Sequence, residues 1–171
     1  MSVYEIVVPL FISGLETYDH ILEQAEVYAK EKGVDVDATF FEARLVEDQL
    51  PLKFQVQNTT SLAQINLGRL IGEDITPFEK DEKTVADLRK RVQKTIEFLK
   101  AADASKAAGK ETSEVDLPAL GKTHKVSAKA AVLNHGLPNY FFHLNTGYSI
   151  LRSKGVPVGK KDYLSSFLLF A

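Results

Sequence analysis

The sequence predicts an all-α fold, an antiparallel four-helix bundle occupying one domain over residues 1–171, with room for a small β-hairpin before the last helix. Three observations predict it. Four stretches carry apolar residues at steps of three and four, the stripe of a helix lying on a core. The links between most of them are short, and a short link favours antiparallel neighbours because it cannot return the chain to the other end of a bundle. The chain has neither an internal repeat nor a Gly-rich phosphate loop, and 44% hydrophobic with 26% charged residues is ordinary globular composition.

The first stripe, Val7, Val8, Phe11, Ile12, Leu15, Leu22, Ala25 and Ala29, predicts a helix over residues 3–32. Gly33 stops it, and Lys30 and Lys32 suit the carbonyl end of its dipole. A connection follows to about Phe40, with helical structure expected from Glu42 or Arg44 onward. Pro51 should then kink that helix or divide it into a short piece and a main one, since proline removes a hydrogen bond and crowds the preceding turn. Leu52, Val56, Thr59, Leu62, Ala63, Asn66, Leu67 and Leu70 carry the stripe on to Gly72. The run EDITPFEKDEK has no apolar period and reads as an exposed connection.

Thr84, with Asp87 three residues on, makes a capping-box-like start for a third helix with the stripe Val85, Leu88, Val92, Thr95, Ile96 and Leu99. In VDLPALGKTHKVS two short extended pieces can pair around a turn at 118–121. Ser127 opens a fourth helix to about residue 154, bent or divided by Pro138 and ended by Gly155 with Pro157 beyond.

Bulk composition closes several functional classes. With 21 basic and 23 acidic residues and a formal charge of -2, the chain has no electrostatic footprint for nucleic acid or for an anionic membrane, and neither is expected as a partner. The absence of cysteine removes disulfides, thiolate metal sites and cysteine nucleophiles. The start has an apolar stretch between Glu5 and Glu16 without a basic leader, so a cytoplasmic protein is expected. No apolar run approaches the ~20 residues of a membrane span. The tail SSFLLFA is expected to pack against a neighbour or a partner.

The fourth helix is apolar nearly all round, which predicts a place between other helices or against a second subunit, and its polar residues are therefore informative. Asn139 and His143 stand four apart, on one face with Thr146 and Ile150, apart from the stripe of Leu137, Tyr140, Leu144, Tyr148 and Leu151. Such spacing can offer two ligands to a metal, but asparagine is a poor ligand for zinc or nickel. The commoner role is a buried histidine satisfied by a hydrogen-bonding neighbour. On the second helix Gln55 shares the core-facing stripe, with Asp48 seven residues earlier and Arg44 a turn before that. Arg44 and Asp48 at i, i+4 predict a helical ion pair, or the wall of a polar pocket. His20, His124 and His135 have no special setting, and no local signature of a Ser, His and acid set is present.

The segments YEIVVPLFISGL, EARLVEDQLPLKFQVQ and PNYFFHLNTGYSILRSKGVPVGKKDYL together resemble the family known as domain of unknown function nineteen-ninety-three, across nearly the whole chain. Arg44, Leu45, Asp48, Pro51, Gln55, Val56 and Gln57 fit its earlier motif, and Pro138, Asn139, His143 and Tyr148 its later one. That family is similar to the DinB/YfiT-like superfamily of four-helix bundles, commonly dimers, that often hold a divalent metal on three histidines and include thiol-dependent transferases. The resemblance implies the bundle and a homodimer. It places the fourth-helix histidine pair of the superfamily on Asn139 and His143 and its second-helix histidine near Gln55 or Gln57, so His143 is the one candidate ligand left and no metal or other cofactor is expected.

Two functional readings follow. One is a binding module that holds a small molecule or a partner in a polar pocket of the bundle lined by Gln55, Asn139, His143, Asp48, Arg44 and Tyr148. The other is a DinB-like enzyme in which His143 serves as general base or residual metal ligand, because imidazole exchanges its proton near neutral pH. The residues themselves identify no reaction.

Overall fold

Ser2 heads the first helix: its hydroxyl accepts from the Glu5 backbone N–H while the Glu5 carboxylate accepts from the Ser2 N–H, so two orphan donors are satisfied reciprocally. Helix α1 then runs Val3–Lys32 and ends at Gly33, whose φ of 66° is the left-handed conformation that closes a helix. The computed structural model describes residues 1–168, and in it α2 spans Leu52–Ile71, α3 spans Val85–Lys100, strands β1 and β2 span Glu114–Ala119 and Lys122–Ser127, α4 spans Ala128–Ala131, α5 spans Leu137–Ser153 and α6 spans Lys160–Leu164. No described helix is long and apolar enough to cross a membrane.

The four long helices α1, α2, α3 and α5 form the predicted bundle around Phe11, Leu15, Tyr18, Leu22, Leu67, Leu88, Tyr140 and Leu144, all buried. Polar contacts give the directions. Arg89 of α3 reaches Asp19 and Glu26 of α1, and Lys100 reaches Glu16, so these two helices run oppositely. Likewise His143 of α5 meets Gln55 and Asn58 while Gly136 lies against Asn66, so α2 and α5 are antiparallel. The Tyr140 hydroxyl donates to the Phe11 carbonyl and the Tyr18 hydroxyl to the His143 carbonyl, which makes α1 and α5 parallel.

One connection departs from expectation. Thr60 of α2 meets Arg91 of α3, and Gln64 meets Phe78, whose ring packs on Phe98, so α2 and α3 point the same way. The 72–84 segment is therefore a crossover and not a simple exposed link. It travels back along α2, with Glu73 beside Gly68, Phe78 beside Gln64 and Glu82 beside Gln57. At up to about 3.3 Å per extended residue it has the reach to return along a helix of about 30 Å.

Proline placement explains one further difference, at Pro51, and the division expected at Pro138. Pro51 neither kinks nor divides α2; it is the N-cap, where its missing N–H costs nothing, and the helix begins at Leu52. Residues 42–51 are consequently a loop after a single π-turn at Asp37–Phe41. Pro138 sits in the first turn of α5, and the π-turn Val132–Gly136 joins α4 to α5, its wider ring absorbing the crowding a proline imposes on the turn before it.

The hairpin forms as predicted, in antiparallel register Glu114 to Ser127 through Ala119 to Lys122. Its two-residue turn is Leu120 and Gly121, both at positive φ, the twist that suits a tight hairpin. After α5 the chain folds back on α1. The Thr17 hydroxyl donates to the Tyr163 carbonyl, His20 pairs with Asp162 at 3.0 Å, and Phe167 packs on Phe141 and Tyr163. The tail thus packs against its own bundle as far as Phe167, Leu168 being exposed; the last three residues of SSFLLFA lie outside the described residues.

Candidate functional site

His143 is carried inward by α5 and is 9% exposed. Its Nδ1 lies 2.7 Å from Gln55 Oε1 and its Nε2 lies 2.6 Å from Asn58 Nδ2. The network fixes which groups donate. Gln55 Nε2 donates to the Leu50 carbonyl at 2.7 Å, so its Oε1 is the atom facing the imidazole and must accept from Nδ1–H. Nε2 of the neutral ring is then an acceptor, and the Asn58 carboxamide donates to it. Burial first, and the nearby Lys80 charge second, push the imidazole pKa down to about 4. A neutral ring with its proton on Nδ1 results, with the Nε2 lone pair already used.

The surroundings are aromatic. Phe54 and Phe142 meet the imidazole edge-on, with centroids 5.8 and 5.3 Å away, and Lys80 lies over the Phe54 ring. Of the residues singled out from sequence, the structure brings Gln55 and His143 together. Asn139 lies one turn earlier on α5, half-buried and outside this hydrogen-bonded set. Arg44 and Asp48 do not join it: both are exposed in the 42–51 loop, and Arg44 donates to the Glu47 and Gln49 carbonyls in place of a helical ion pair with Asp48. Tyr148 faces the C-terminal segment, where its hydroxyl approaches the Val158 carbonyl and its ring meets Tyr163 edge-on.

Sequence reasoning missed Asn58, although its place three residues after Gln55 puts it on the same side of α2. It also missed Arg91, which is buried with its partner Glu82. Gln57, the alternative to Gln55, turns the other way and donates to Glu82.

The arrangement does not suit a metal. Its donors are two carboxamides and an imidazole whose lone pair is engaged, with no anionic group among them, and no group of three His, Asp or Glu side chains among the described residues is placed to hold an ion. Nor is the trio hollow. The larger clefts are a cavity of about 700 Å³ beside Arg91 and one of about 810 Å³ between the end of α2 and the hairpin, and His143 lines neither.

A family model described as Domain of unknown function (DUF1993) matches residues 3–164. No curated protein matches the chain. Among solved structures, a DinB family member protein from Shewanella denitrificans is 32% identical, with a TM-score of 0.85 over 94% of this chain and 90% of that one. The extent of these matches, together with a fold built as the sequence predicts, establishes that the chain belongs to the DUF1993 family of DinB-like helical bundles.

Proposed function

We propose that the chain is a cytoplasmic binding module, working as a homodimer through the face built over His143, in which the histidine holds the scaffold and performs no chemistry. The observation that carries this reading is the closed hydrogen-bond set at the imidazole. A general base needs a free lone pair within reach of a substrate proton, and here that lone pair accepts from Asn58. The buried Gln55 amide instead ties the Leu50 carbonyl to the imidazole, against whose ring Phe142 packs edge-on.

That face is the apolar one. Phe142 is 59% exposed beside His143, Leu50 is 49% exposed at the carbonyl that orients Gln55, and Val46 shares the same loop, exposed as well. Exposed large apolar groups gathered around a rigid polar anchor mark an interaction surface. The Gln55 and Asn58 amides are spent on the imidazole and on the Leu50 carbonyl, and Arg44 and Asp48 of the same loop set charges beside the apolar side chains. Such a patch can be covered by its own copy across a two-fold axis, where each Phe142 would meet the same surface on the other subunit.

Light scattering on the purified chain should give twice the 19.0 kDa monomer mass, and Phe142→Asp should shift it to the monomer while leaving the circular dichroism of the bundle unchanged. A wild-type monomer at micromolar concentration, or a Phe142→Asp protein that still dimerises, would remove this face as the contact.

A further inference from the structure

Between α5 and the short α6 lies a cleft of about 350 Å³ walled by Tyr148, Tyr163 and Leu164 and completed by Asn145 and Lys160, both exposed. Its two tyrosine rings stand almost perpendicular, at 83° with centroids 5.7 Å apart, so the face of one and the edge of the other form a corner. Each ring is held from outside the cleft. The Tyr148 hydroxyl approaches the Val158 carbonyl at 3.4 Å, and Tyr163 stacks on Phe167 while its carbonyl accepts from the Thr17 hydroxyl. A third ring entering this corner finds both favoured modes of aromatic contact, offset stacking on one tyrosine and an edge contact with the other. The volume lies at the small end of the range for organic ligands, about 300–1,000 Å³, which suits a body of one or two rings.

The charge of the cleft has one sign. Lys160 is the single charged residue on its wall, and no carboxylate lines it. Asp162, the nearest acid in sequence, is paired with His20 of α1 at 3.0 Å and accepts from the Gly159 N–H at 2.8 Å. The acids of α1 on the same stretch as His20 are also taken: Glu16 pairs with Lys100 of α3, and Asp19 and Glu23 pair with Arg89. Arg152, one turn beyond Tyr148 on α5, adds to the positive sign. An apolar corner with one ammonium and one amide beside it matches a ligand that is flat and apolar at one end and singly anionic at the other.

We infer that this cleft binds a small planar aromatic acid, its ring seated against Tyr148, Tyr163 and Leu164 and its carboxylate beside the Lys160 ammonium and the Asn145 amide. The site shares no residue with the face over His143 and does not rest on that reading.

NMR titration of the full chain at low ionic strength tests this with three probes: benzoate, its neutral isostere benzamide, and cyclohexanecarboxylate, which keeps the charge and loses the flat ring. The expected result is saturable binding of benzoate in the millimolar range or tighter, with shifts centred on the Leu164 methyls and the Tyr148 and Tyr163 ring protons. Benzamide should bind about twofold to fivefold more weakly, the factor that an exposed charge pair supplies, and added salt should close the gap. Cyclohexanecarboxylate should also bind more weakly than benzoate. Lys160→Gln, at an exposed position outside the core, should lower benzoate to the affinity of benzamide and leave benzamide unchanged. No saturable binding of benzoate, shifts centred elsewhere, equal affinity for acid and amide, equal affinity for the two acids, or a Lys160→Gln protein that binds benzoate as wild type does would each overturn the proposal.

Discussion

Replacing Arg91 with methionine is expected to lower stability by about 3–5 kcal/mol, the usual cost of breaking a buried ion pair from one side. The guanidinium is a rivet between three parts of the chain. Its Nε donates to Thr60 Oγ1 at 2.6 Å, Nη1 donates to Glu82 at 2.8 Å and to the Glu79 carbonyl, and Nη2 donates to the Phe78 carbonyl and Ser61. Side-chain exposures of 2% for Arg91 and 7% for Glu82 put the pair largely out of water. Methionine fills part of the volume but strands the Glu82 carboxylate with Gln57 as its remaining partner. Chemical denaturation measures the loss. Arg91→Met combined with Glu82→Leu should lose less than the sum of the single changes, because no lone buried charge is then left. A single-variant loss below about 1 kcal/mol would mean that the crossover is held by something other than this pair.

Gly147→Ala should cost about 3 kcal/mol, at the upper end for an added core methyl. Helix α5 passes so close to α1 at Gly147 that a Cβ there would overlap the Tyr18 hydroxyl, and its next nearest atom would be Tyr18 Cζ at 2.6 Å. Tyr18 is fully buried and cannot swing into solvent. Removing the obstructing hydroxyl with Tyr18→Phe in the same protein should recover part of the loss, a sign of coupling that independent sites do not show. Thermal unfolding of the two single variants and the double variant reads this directly; strict additivity would contradict the close packing of the two helices.

The sequence disclosed most where the signal is local. Gly33, Gly72, Thr84 and Ser127 each end or begin a helix in the structure because a cap needs only its own few residues. Pro51 was ambiguous for the same local reason: its chemistry permits a helix start as well as a kink, and the choice depended on whether residues 42–50 were helical. The crossover was invisible because its evidence is tertiary. Glu82 lies in the non-helical crossover and Arg91 nine residues on inside α3, and only the folded chain shows them buried together against α2.

The site was half legible. An imidazole inside an apolar helix is a visible anomaly, and Gln55 stood on a core-facing stripe. Asn139 looked equivalent to His143 because periodicity gives a face and not a depth; one turn of α5 is enough to leave it half-buried and outside the network. Arg44 and Asp48 were placed by assuming a helix that starts at Leu52 instead.

The protonation state of His143 is the point on which the scaffold reading turns. With its folded pKa near 4, below the 6.5 of a free histidine, the unfolded chain binds the extra proton between those values. Stability contributed by the neutral ring is therefore complete above about pH 6.5 and declines as pH falls toward 4, by about 3 kcal/mol in all. Long-range nitrogen–proton NMR of labelled protein reports the same group by its tautomer. The expected spectrum shows a neutral imidazole with its proton on Nδ1 from pH 8 down to pH 5, unchanged by zinc or nickel. A proton on Nε2, a midpoint near 6.5, or a shift of the His143 resonances on adding either metal would contradict it and return the histidine to chemistry.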